Sequence, residues 1–344
     1  MATSTKRVTL EDIARTAGVG VATVDRVLNR RAPVTPKTAE RVLAAAESLN
    51  YHAQGLMRRR LDELAPARRL GFILQKEQKW FYRALASAIE ESANELTSIR
   101  ASVDISFVGS LSPDGLATEL DEMAQSAHAI GIVAVDHPKI TEAVERAEKH
   151  ARIFAMLSPL TLANTSGFVG IDGRKAGRTA GWAMSHLVPA SGEVGLLVGS
   201  HRYAGHEALE TGFRGYMREN AAAVSLRDAV VYLDDRAVAY EAASELLETV
   251  RDLNGIYHIG GGVSGVVRAL EESGRGRNVA YICHESSPIA VRALMDGTAN
   301  LIVETPVAEI ARQVTLAMAE SLSSKPKLIL PDPVTFRLIT PENI

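Results

Sequence analysis

Short apolar runs alternate with helical stretches over most of this chain, from about residue 70 onward. Helical patterns such as those of residues 82–96 and 237–250 lie between most successive runs. This alternation predicts parallel sheets with helices on both faces, the doubly wound α/β arrangement. Because eleven strands are many for one sheet, we expect two sheets. The predicted strands are residues 70–74, 103–108, 130–135, 153–157, 167–171, 194–198, 230–233, 255–259, 279–283, 301–303 and 334–338.

The first fifty residues follow an all-α pattern instead. Thr9, with Asp12 three residues later, predicts a capped helix that Gly18 ends. We expect a second helix from Val21, after a tight turn, and a third from Thr35, which precedes a proline suited to the first helical position. Two short helices joined by a glycine-containing turn predict a helix-turn-helix. A three-helix bundle without that function would show the same apolar spacing.

The charges divide the chain into two parts. The formal net charge of the 344 residues is −3. Residues 1–60 contain eleven basic and five acidic side chains, an excess of six positive charges, so the remaining residues carry an excess of nine negative ones. Such asymmetry predicts a small anion-binding module joined to a larger acidic body. The alternative is a chance fluctuation of charge in a small domain.

The exposed face of the second predicted helix suits DNA. Val21 and Ala22 lie at its start, where a recognition helix presents side chains to base edges, and both are small apolar residues that suit thymine methyl groups. Arg26, one turn later, can bind a guanine through two hydrogen bonds. Residues that can reach phosphates, and so fix position without reading sequence, are Thr9, Thr23, Thr35, Lys37 and Thr38.

This segment resembles the headpiece of the LacI/GalR (lactose-repressor) family. The resemblance is carried by Val8-Thr9-Leu10-Glu11-Asp12-Ile13-Ala14, Ala17-Gly18-Val19, Thr23-Val24-Asp25-Arg26-Val27-Leu28-Asn29, Val34-Thr35 and Leu49-Asn50-Tyr51. It implies a homodimeric repressor that binds a pseudo-palindromic, double-stranded operator DNA. It also implies DNA contacts by Asp25, Asn29 and Tyr51, and a hinge helix after the headpiece that inserts a leucine into the minor groove.

Three departures from the family pattern bear on these DNA contacts. Gly20 replaces the usual serine after Ala-Gly-Val, which removes a phosphate contact and a helix cap. Asp25 replaces another serine, and its carboxylate would either repel phosphate or accept a hydrogen bond from cytosine. In the hinge, Arg60 stands where the inserted leucine is expected, so either the register shifts to Leu61 or arginines fill the minor groove. The hinge residues that suit the DNA backbone are Arg58, Arg59 and Arg60.

The remainder of the chain resembles the ribose-type periplasmic-binding-protein fold. The order of the elements carries the resemblance, together with stretches such as Gly170-Ile171-Asp172-Gly173-Arg174-Lys175-Ala176-Gly177. It implies two similar subdomains with a ligand in the cleft between them. We therefore expect a headpiece over residues 1–53, a hinge and linker over 54–68 and a sensor domain over 69–344. Its first subdomain would comprise about 69–189 and 306–330, and its second about 190–303 and 331–344.

Loops that follow the strands supply the candidate effector site, since the C-terminal ends of strands line the cleft of such sheets. The resemblance implies that Phe81 and Tyr82 stack on a sugar; alternatively, one or two of residues 80–82 only enter the helix or the core. Asp172 can accept sugar hydroxyls or cap the next helix. Leu209 replaces an arginine that grips the ligand in many relatives, which disfavours a simple copy of ribose or purine recognition. The candidates are Lys79, Trp80, Phe81, Tyr82, Asp172, His201, Tyr203, Glu207, Gly261, Glu285 and Thr305.

One motif supports a different class of protein. Residues 260–265 fit G-x-G-x-x-G between a predicted strand and a helix, and Glu285 follows twenty residues later, as in NAD-type dinucleotide-binding oxidoreductases. The motif falls late in the chain, however, and neither a catalytic set nor a metal-ligand spacing of the nine histidines accompanies it. We therefore expect a regulator that is not an enzyme and needs no cofactor or metal. A DNA-independent sugar-binding receptor is the third reading.

The acidic and aromatic candidates favour a neutral small sugar, polyol or sugar derivative as effector, because the arginine that grips ligand oxygens is missing. The N-terminal sequence turns acidic and amphipathic at once, unlike a secretory signal, and no apolar run approaches the roughly 18–20 residues that span a bilayer. The single cysteine, Cys283, excludes an intramolecular disulfide. These features predict a cytoplasmic protein without a membrane partner. Since the sequence ends without a long heptad tail, we expect a dimer.

Overall fold

The computed structural model describes residues 8–29, 34–52, 65–109, 112–161, 163–323 and 332–344. These residues form two compact units. One unit contains the described residues up to Arg68 together with Ala93–Ser102, and the other contains Arg69–Ser92 and Val103–Ile344. Most of the predicted hinge lies outside the described residues, including Arg58, Arg59 and Arg60.

Three helices form the N-terminal part of the first unit, as the sequence predicts: α1 (Leu10–Ala17), α2 (Val21–Asn29) and α3 (Pro36–Ser48). The Thr9 N–H donates to Oδ2 of Asp12 at 3.1 Å and the Asp12 N–H donates to Oγ1 of Thr9 at 3.3 Å, so the predicted capping box is present. Gly18 ends α1 with φ 63°, a conformation that glycine adopts without steric cost. The apolar faces of the three helices meet in one core, where Ile13 and Val24 are fully buried.

Five strands form the first sheet: β1 (Ala67–Gln75), β2 (Arg100–Val108), β3 (Ala129–Ile132), β4 (Arg152–Met156) and β5 (Gly167–Val169). Their order is β2-β1-β3-β4-β5, and the β1–β3, β3–β4 and β4–β5 pairs are parallel. Every residue of β3 is buried, because a parallel sheet is covered on both faces. The helices between these strands are α4 (Trp80–Asn94), α5 (Pro113–Met123) and α6 (Pro138–Ala147).

Six strands form the second sheet, in the order β11-β10-β9-β8-β6-β7. They are β6 (Glu193–Val198), β7 (Ser225–Val231), β8 (Leu253–Ile259), β9 (Ala280–Cys283), β10 (Leu301–Glu304) and β11 (Arg337–Ile339). Six further helices are α7 (Gly173–Leu187), α8 (Ala204–Asn220), α9 (Arg236–Thr249), α10 (Val263–Glu272), α11 (Pro288–Asp296) and α12 (Val307–Ser321). The expected α/β fold with two sheets is confirmed.

The structure differs from the expected wholly parallel sheets in the direction of one strand, and several strand bounds differ from the expected ones, most of all at β7. Strand β11 runs antiparallel to β10, whereas the other pairs of the second sheet are parallel. Strand β7 begins at Ser225 rather than at residue 230 and ends at Val231. The edge position explains the weak apolar signal of its first half, because β7 pairs with a neighbour on one side only and most of its residues are partly or fully exposed.

Helix α7 packs against the second sheet, although the sequence placed it in the first subdomain. Its apolar residues, such as Ala180 and Met184, share a core cluster with strands β6, β8 and β9. The physical reason is the contact of α7 with α8. A Cβ on Gly177 would lie 2.0 Å from the Leu209 carbonyl oxygen, so only glycine allows the two backbones to approach this closely. The expected boundary near residue 189 is therefore wrong for this helix.

Within the part of the chain that the structure describes, no helix is long and apolar enough to cross a membrane. Across those same described ranges, no three or more His, Cys, Asp and Glu side chains are grouped in a way that could hold a metal ion.

Candidate functional site

A cavity of about 140 Å³ lies at the C-terminal ends of strands from both sheets of the second unit. Its walls come from the loops after the strands, which is where open α/β sheets place their ligands. The walls combine rings, charges and hydrogen-bonding groups, so the cavity suits a small molecule with both polar and apolar surfaces. The polar and aromatic side chains that line it are Gln75, Lys76, Lys79, Phe81, Tyr82, Ser158, Tyr203, His206, Asp234, His284, Glu285 and Thr305.

The structure brings most of the candidate effector residues together. They come from loops of both sheets that are far apart in the sequence, from the loop after β1 to the loop after β10. Those that line the cavity are Lys79, Phe81, Tyr82, Tyr203, Gly261, Glu285 and Thr305.

The other four candidates lie outside the cavity lining. Asp172 caps α7, since its Oδ1 accepts the Lys175 N–H at 3.0 Å; of the two roles left open by the sequence, the structure shows the cap. His201 points to Glu210, with 2.6 Å between Nε2 and Oε2. The remaining two, Trp80 and Glu207, lie in the first turns of α4 and α8.

Aromatic rings form one part of the cavity wall. Phe81 and Tyr82 make an edge-to-face pair, with 5.4 Å between the ring centroids and an interplanar angle of 87°. Tyr203 lines the cavity from the second sheet. Burial raises the pKa of both tyrosines, so their hydroxyl groups stay protonated and can donate hydrogen bonds. This wall offers apolar ring surface with polar ends.

Asp234 is a central residue of the cavity that the sequence interpretation missed. Its Oδ1 accepts the backbone N–H of Gly261 at 2.8 Å. A Cβ on Gly199 or on Gly260 would lie 2.3 or 2.4 Å from that same oxygen, so the carboxylate sits between two glycines. The pair Asp234-Asp235 follows a predicted strand directly. That position was a signal which the sequence interpretation did not use.

Charges near Asp234 keep it ionised despite its burial. Burial alone would raise the pKa of this carboxyl, but the charges of His206 and Lys79 and the hydrogen bond from Gly261 outweigh burial, so the pKa lies below 3.8. Burial lowers the pKa of Lys79 below 10.5, although Asp234 opposes that shift. Burial raises the pKa of Glu285 above 4.5. The cavity thus holds one firmly anionic carboxylate, one lysine and one carboxyl that ionises less readily.

Two lysines of the loop after β1 donate to the backbone after β7. Nζ of Lys79 lies 2.5 Å from the carbonyl oxygen of Asp234, and Nζ of Lys76 lies 3.1 Å from that of Leu233. Both bonds join a loop of the first sheet to a loop of the second. Since a lysine ammonium carries three donors, Lys79 keeps donors for a ligand.

Gln75 contributes a buried acceptor to the cavity lining. The residue is 2% exposed, and its Nε2 donates to the Val133 carbonyl at 2.6 Å. That bond fixes the orientation of the amide, because only the nitrogen end can donate to a carbonyl. Its Oε1 has no hydrogen-bond partner among the described residues. A buried acceptor without a partner is costly, so a ligand hydroxyl that donates to it would be strongly favoured.

The glycine motif does not form a dinucleotide site. The carboxylate of Asp234 accepts the Gly261 N–H, which a pyrophosphate would need, and places a negative charge beside the loop. A Cβ on Gly265 would lie 2.1 Å from the Arg236 carbonyl oxygen, so this glycine serves the packing of α10 on α9. The residues therefore do not fit the cofactor that the motif alone predicts.

Buried tyrosine and histidine side chains form a chain of close polar contacts that reaches the glycine loop. The hydroxyl of Tyr232 lies 2.7 Å from the Gly261 carbonyl oxygen and 2.8 Å from Nε2 of His258, whose Nδ1 lies 2.7 Å from the Tyr281 hydroxyl. Burial lowers the pKa of His258 to about 4, so its imidazole is neutral at physiological pH. Burial likewise lowers the pKa of His284 to about 3. Tyr232 and the neutral His258 fix the loop without adding charge, whereas the imidazole of His284 lies against the Tyr257 hydroxyl.

The predicted DNA-contacting residues lie mainly on exposed surfaces of the first unit. Val21 is 42% exposed, and Ala22 and Arg26 are exposed beside it on α2. Nδ2 of Asn29 donates to Oδ1 of Asp25 at 2.6 Å, one turn apart on that helix. The other exposed or partly exposed candidates are Thr9, Thr23, Thr35, Lys37 and Thr38.

Tyr51 is the exception among the described candidates for DNA contact. It is only 8% exposed, and its side chain belongs to the core of the three helices. Its backbone N–H donates to the Ala46 carbonyl at 2.8 Å. The resemblance implied a DNA contact at this position, but the structure gives the ring a packing role.

Two family models match this chain, one in the basic N-terminal part and one in the larger acidic part. Residues 71–326 match the family model described as "Periplasmic binding protein domain". Residues 9–54 match the model described as "Bacterial regulatory proteins, lacI family".

Curated relatives are regulators. The HTH-type transcriptional regulator GalS of Salmonella typhimurium is 36% identical over 92 residues, which is 26% of this chain and 25% of that protein. The HTH-type transcriptional regulator MalR of Streptomyces coelicolor is 29% identical over 213 residues, 59% of this chain and 57% of that protein. The ribose operon repressor of Bacillus subtilis is 32% identical over 137 residues, 39% of each. The matched region is about a quarter of the length of the first of these relatives.

Solved structures of sugar-binding proteins share the fold. GanP, a glucose-galactose binding protein from Geobacillus stearothermophilus, gives a TM-score of 0.70 at 20% identity and covers 80% of this chain and 98% of that one. An Agrobacterium vitis solute binding protein with bound D-fucose gives 0.72 at 17% identity, covering 80% and 96%. At these identities the likeness shows the fold alone.

Proposed function

Because the chain belongs to the periplasmic-binding-protein domain family and also carries a lacI-family regulatory domain, we propose that it is a cytoplasmic transcription regulator. It acts as a repressor, and a small effector in the cavity sets its affinity for operator DNA. The observation that carries this proposal is the exposed face of α2 in a headpiece of the lacI type. Regulatory proteins of this family are not enzymes, which leaves no role for a catalytic set.

The proposed headpiece reads DNA with α2. Val21 and Ala22 contact thymine methyl groups, and Arg26 binds a guanine in the major groove. Two headpieces of a homodimer bind the halves of a pseudo-palindromic operator, with half-sites about one helical turn apart. The hinge arginines, including Arg60, contact the DNA backbone or the minor groove.

The proposed effector is a neutral small sugar, polyol or sugar derivative. Leu209 lines the cavity where relatives carry a charged clamp, so no guanidinium grips an anionic group there. Hydroxyl groups both donate and accept, which suits a cavity that offers Oε1 of Gln75 as acceptor and Lys79 as donor. The rings of Phe81 and Tyr82 cover an apolar face of the ligand. The name of one relative, the ribose operon repressor, supports the same class.

The proposed division of the chain follows the expected domains, with one change. The headpiece comprises residues 1–53, the hinge and linker 54–68 and the sensor domain 69–344. Helix α7 belongs with the second subdomain because its core residues pack there. The effector lies between the subdomains, and a change in their closure alters the spacing of the headpieces. Since coupling is reciprocal, an effector that weakens operator binding must itself bind the DNA-bound protein more weakly.

Two measurements test this function. Selection from a random pool of duplex DNA by the full chain should enrich a pseudo-palindrome. A thermal-shift screen with D-ribose, D-galactose, D-fucose, myo-inositol and D-glucuronate should then find stabilisation by a neutral member and none by the acid. Enrichment of no sequence would contradict the DNA-reading role. Tight binding of NAD in a calorimeter would favour the oxidoreductase instead.

A further inference from the structure

Strained backbone in the second unit is concentrated at the cavity. Four of its described residues other than glycine have positive φ values: Lys76 (28°), Leu157 (63°), Leu233 (52°) and Asp234 (53°). All of them lie in loops after strands, and all except Leu233 line the cavity. Such conformations persist only where the surroundings over-determine them. The consecutive pair Leu233 and Asp234 is therefore held in place by its neighbours.

Both carbonyl groups of this left-handed pair are held by the other sheet. Lys76 donates to the Leu233 oxygen at 3.1 Å and Lys79 donates to the Asp234 oxygen at 2.5 Å. Lys76 itself has positive φ, so the backbone is strained at both residues that this hydrogen bond joins, Lys76 and Leu233. Each bond has an ammonium donor, which makes it stronger than a bond between neutral groups.

The second sheet fixes its own side of this contact. The carboxylate of Asp234 sits between Gly199 and Gly260 and accepts the Gly261 N–H at 2.8 Å. Because these glycines follow β6 and β8, the left-handed pair is anchored to the sheet. A rigid acceptor pair on one side and two flexible lysines on the other resemble a clasp.

Two further hydrogen bonds cross the cleft, and they are made mostly by backbone groups, which side-chain substitutions do not remove. The Gly205 N–H donates to Oγ of Ser158 at 3.1 Å, and the Asp136 N–H donates to the Arg202 carbonyl at 3.1 Å. Three of these four groups belong to the backbone. Substitution of the two lysines therefore removes their own contacts across the cleft and leaves this second pair in place.

We propose that Lys76 and Lys79 form a clasp that holds the two subdomains closed by gripping the carbonyl groups of Leu233 and Asp234. The chain itself thereby supplies part of the free energy of closure, and an effector supplies the rest. The fraction of molecules in the closed state in turn sets the apparent affinity for an effector that binds this state. The apparent affinity falls in proportion as that fraction falls. The regulatory consequence rests on the proposed function, but the clasp is a property of the sensor domain alone.

A distance measurement on the full chain tests the clasp without a known effector or operator. Spin labels are placed on cysteines at Glu122→Cys of α5 and Glu248→Cys of α9, both exposed positions. Burial raises the pKa of the Cys283 thiol to about 12, so the native cysteine does not react at neutral pH. Diluting labelled chains with unlabelled ones confines the measured distances to one subunit.

The test compares the parent with Lys76→Met and Lys79→Met combined, which keep side-chain length and remove both donors. We expect the main distance peak to move to longer values and to broaden. Lys139→Met is the matched control, since this lysine pairs with Asp114 inside the first subdomain, and it should reproduce the parent distribution. If the double variant does not fold, Lys76→Met alone should show a smaller shift in the same direction.

An unchanged distribution in a folded variant, checked by its melting transition, would overturn the clasp. The outcome is independent of DNA binding, which is measured on the same samples. Failure of the parent to bind any selected DNA would remove the proposed function and leave the clasp intact. A clasp that fails in a chain that binds its operator would leave the proposed function intact.

Discussion

The carboxylate of Asp234 accepts a hydrogen bond from the backbone N–H of Gly261, at 2.8 Å from Oδ1. This bond joins the loop after β7 to the glycine loop after β8. It holds a negative charge at the wall of the cavity, and Nζ of Lys79 bonds the main-chain carbonyl of the same aspartate. One interaction therefore orders the glycine loop, occupies an N–H that a pyrophosphate would need and holds one of the charges that a ligand meets.

Replacement of Asp234 by asparagine should destabilise the sensor domain. Asparagine can still accept the Gly261 N–H, but it removes the charge that compensates buried Lys79, so we expect a loss of about 1–3 kcal/mol in the free energy of unfolding at pH 6. Because the pKa of Asp234 is lowered in the folded state, its stabilisation is complete above pH 3.8 and is lost as the pH falls through the folded value.

Urea denaturation of parent and Asp234→Asn at pH 6 and at pH 3 measures this difference. The two curves should lie apart at pH 6 and approach each other at pH 3. A constant separation at both pH values would show that shape, rather than charge, accounts for the effect.

Two glycines of the same loop should respond differently to alanine. In Gly261→Ala, the new Cβ would lie 2.9 Å from Nζ of Lys79 and 3.6 Å from Oε2 of Glu285, and the flexible lysine can move. In Gly265→Ala, it would lie 2.1 Å from the Arg236 carbonyl, which cannot move without separating α9 and α10. We expect Gly265→Ala to cost roughly 1–3 kcal/mol in stability and Gly261→Ala to cost less.

Thermal unfolding and a binding titration with the stabilising sugar of the screen separate the two glycine variants. Gly261→Ala should melt near the parent temperature and bind the sugar more weakly. Equal losses of stability in both variants would contradict the packing role assigned to Gly265.

The buried histidines should make the fold sensitive to mild acid. The pKa of His284 is about 3 in the folded protein, far below 6.5, so the unfolded chain binds a proton more readily between these values. Its contribution to stability is complete above pH 6.5 and falls by about 1.4 kcal/mol for each pH unit below it. His258, with a pKa of about 4, should add a similar slope.

Denaturant titrations at pH 7, 6 and 5 check the histidine prediction. His284→Gln should be less stable than the parent at pH 7, because the contact with the Tyr257 hydroxyl changes, yet its stability should depend less steeply on pH. Identical slopes in the two proteins would refute the assignment of His284 as a neutral buried group.

In the headpiece, Arg26→Ala and Lys37→Ala should weaken DNA binding in different ways. Loss of the guanine contact should cost about 1–3 kcal/mol on the selected operator and little on random DNA, so the sequence preference falls. Loss of Lys37 should lower the affinity for operator and random DNA alike. It should also reduce by about one the slope of the logarithm of the binding constant against the logarithm of the salt concentration.

Fluorescence anisotropy with operator and random duplexes, at several salt concentrations, measures the preference and the slope. An unchanged ratio of affinities in Arg26→Ala would remove this residue from base reading.

Much of the fold follows from local signals, because caps and turns depend on neighbouring residues. The box of Thr9 with Asp12 and the turn at Gly18 are of this kind. The packing of α7 on the second sheet depends on Gly177 meeting the Leu209 carbonyl, a contact between residues 32 apart that no local pattern indicates. The sequence left Asp172 with two roles, since an N-cap and a ligand contact use the same carboxylate.

The candidate site shows the same limit. Lys79 and Glu285 were predicted because each follows a strand, which is a local property. Asp234 was missed although it directly follows the predicted end of β7 at residue 233; the strand ends at Val231, and a left-handed pair follows. Leucine seldom adopts positive φ, whereas aspartate does so more often than most residues, so the local sequence does not specify that both residues of this pair are left-handed. Only contacts from the other sheet and the flanking glycines stabilise it.

The close backbone contact between α7 and α8 at their glycines makes the two helices one rigid pair. Gly173 at the start of α7 and Gly205 at the start of α8 both line the cavity. With no side chains between the backbones at Gly177 and Gly212, the helices have little room to slide against each other. A helix of fifteen residues is about 22 Å long. A rotation of this rigid pair about its cavity end would displace the far end, near Leu187, by more than it displaces the residues at the cavity.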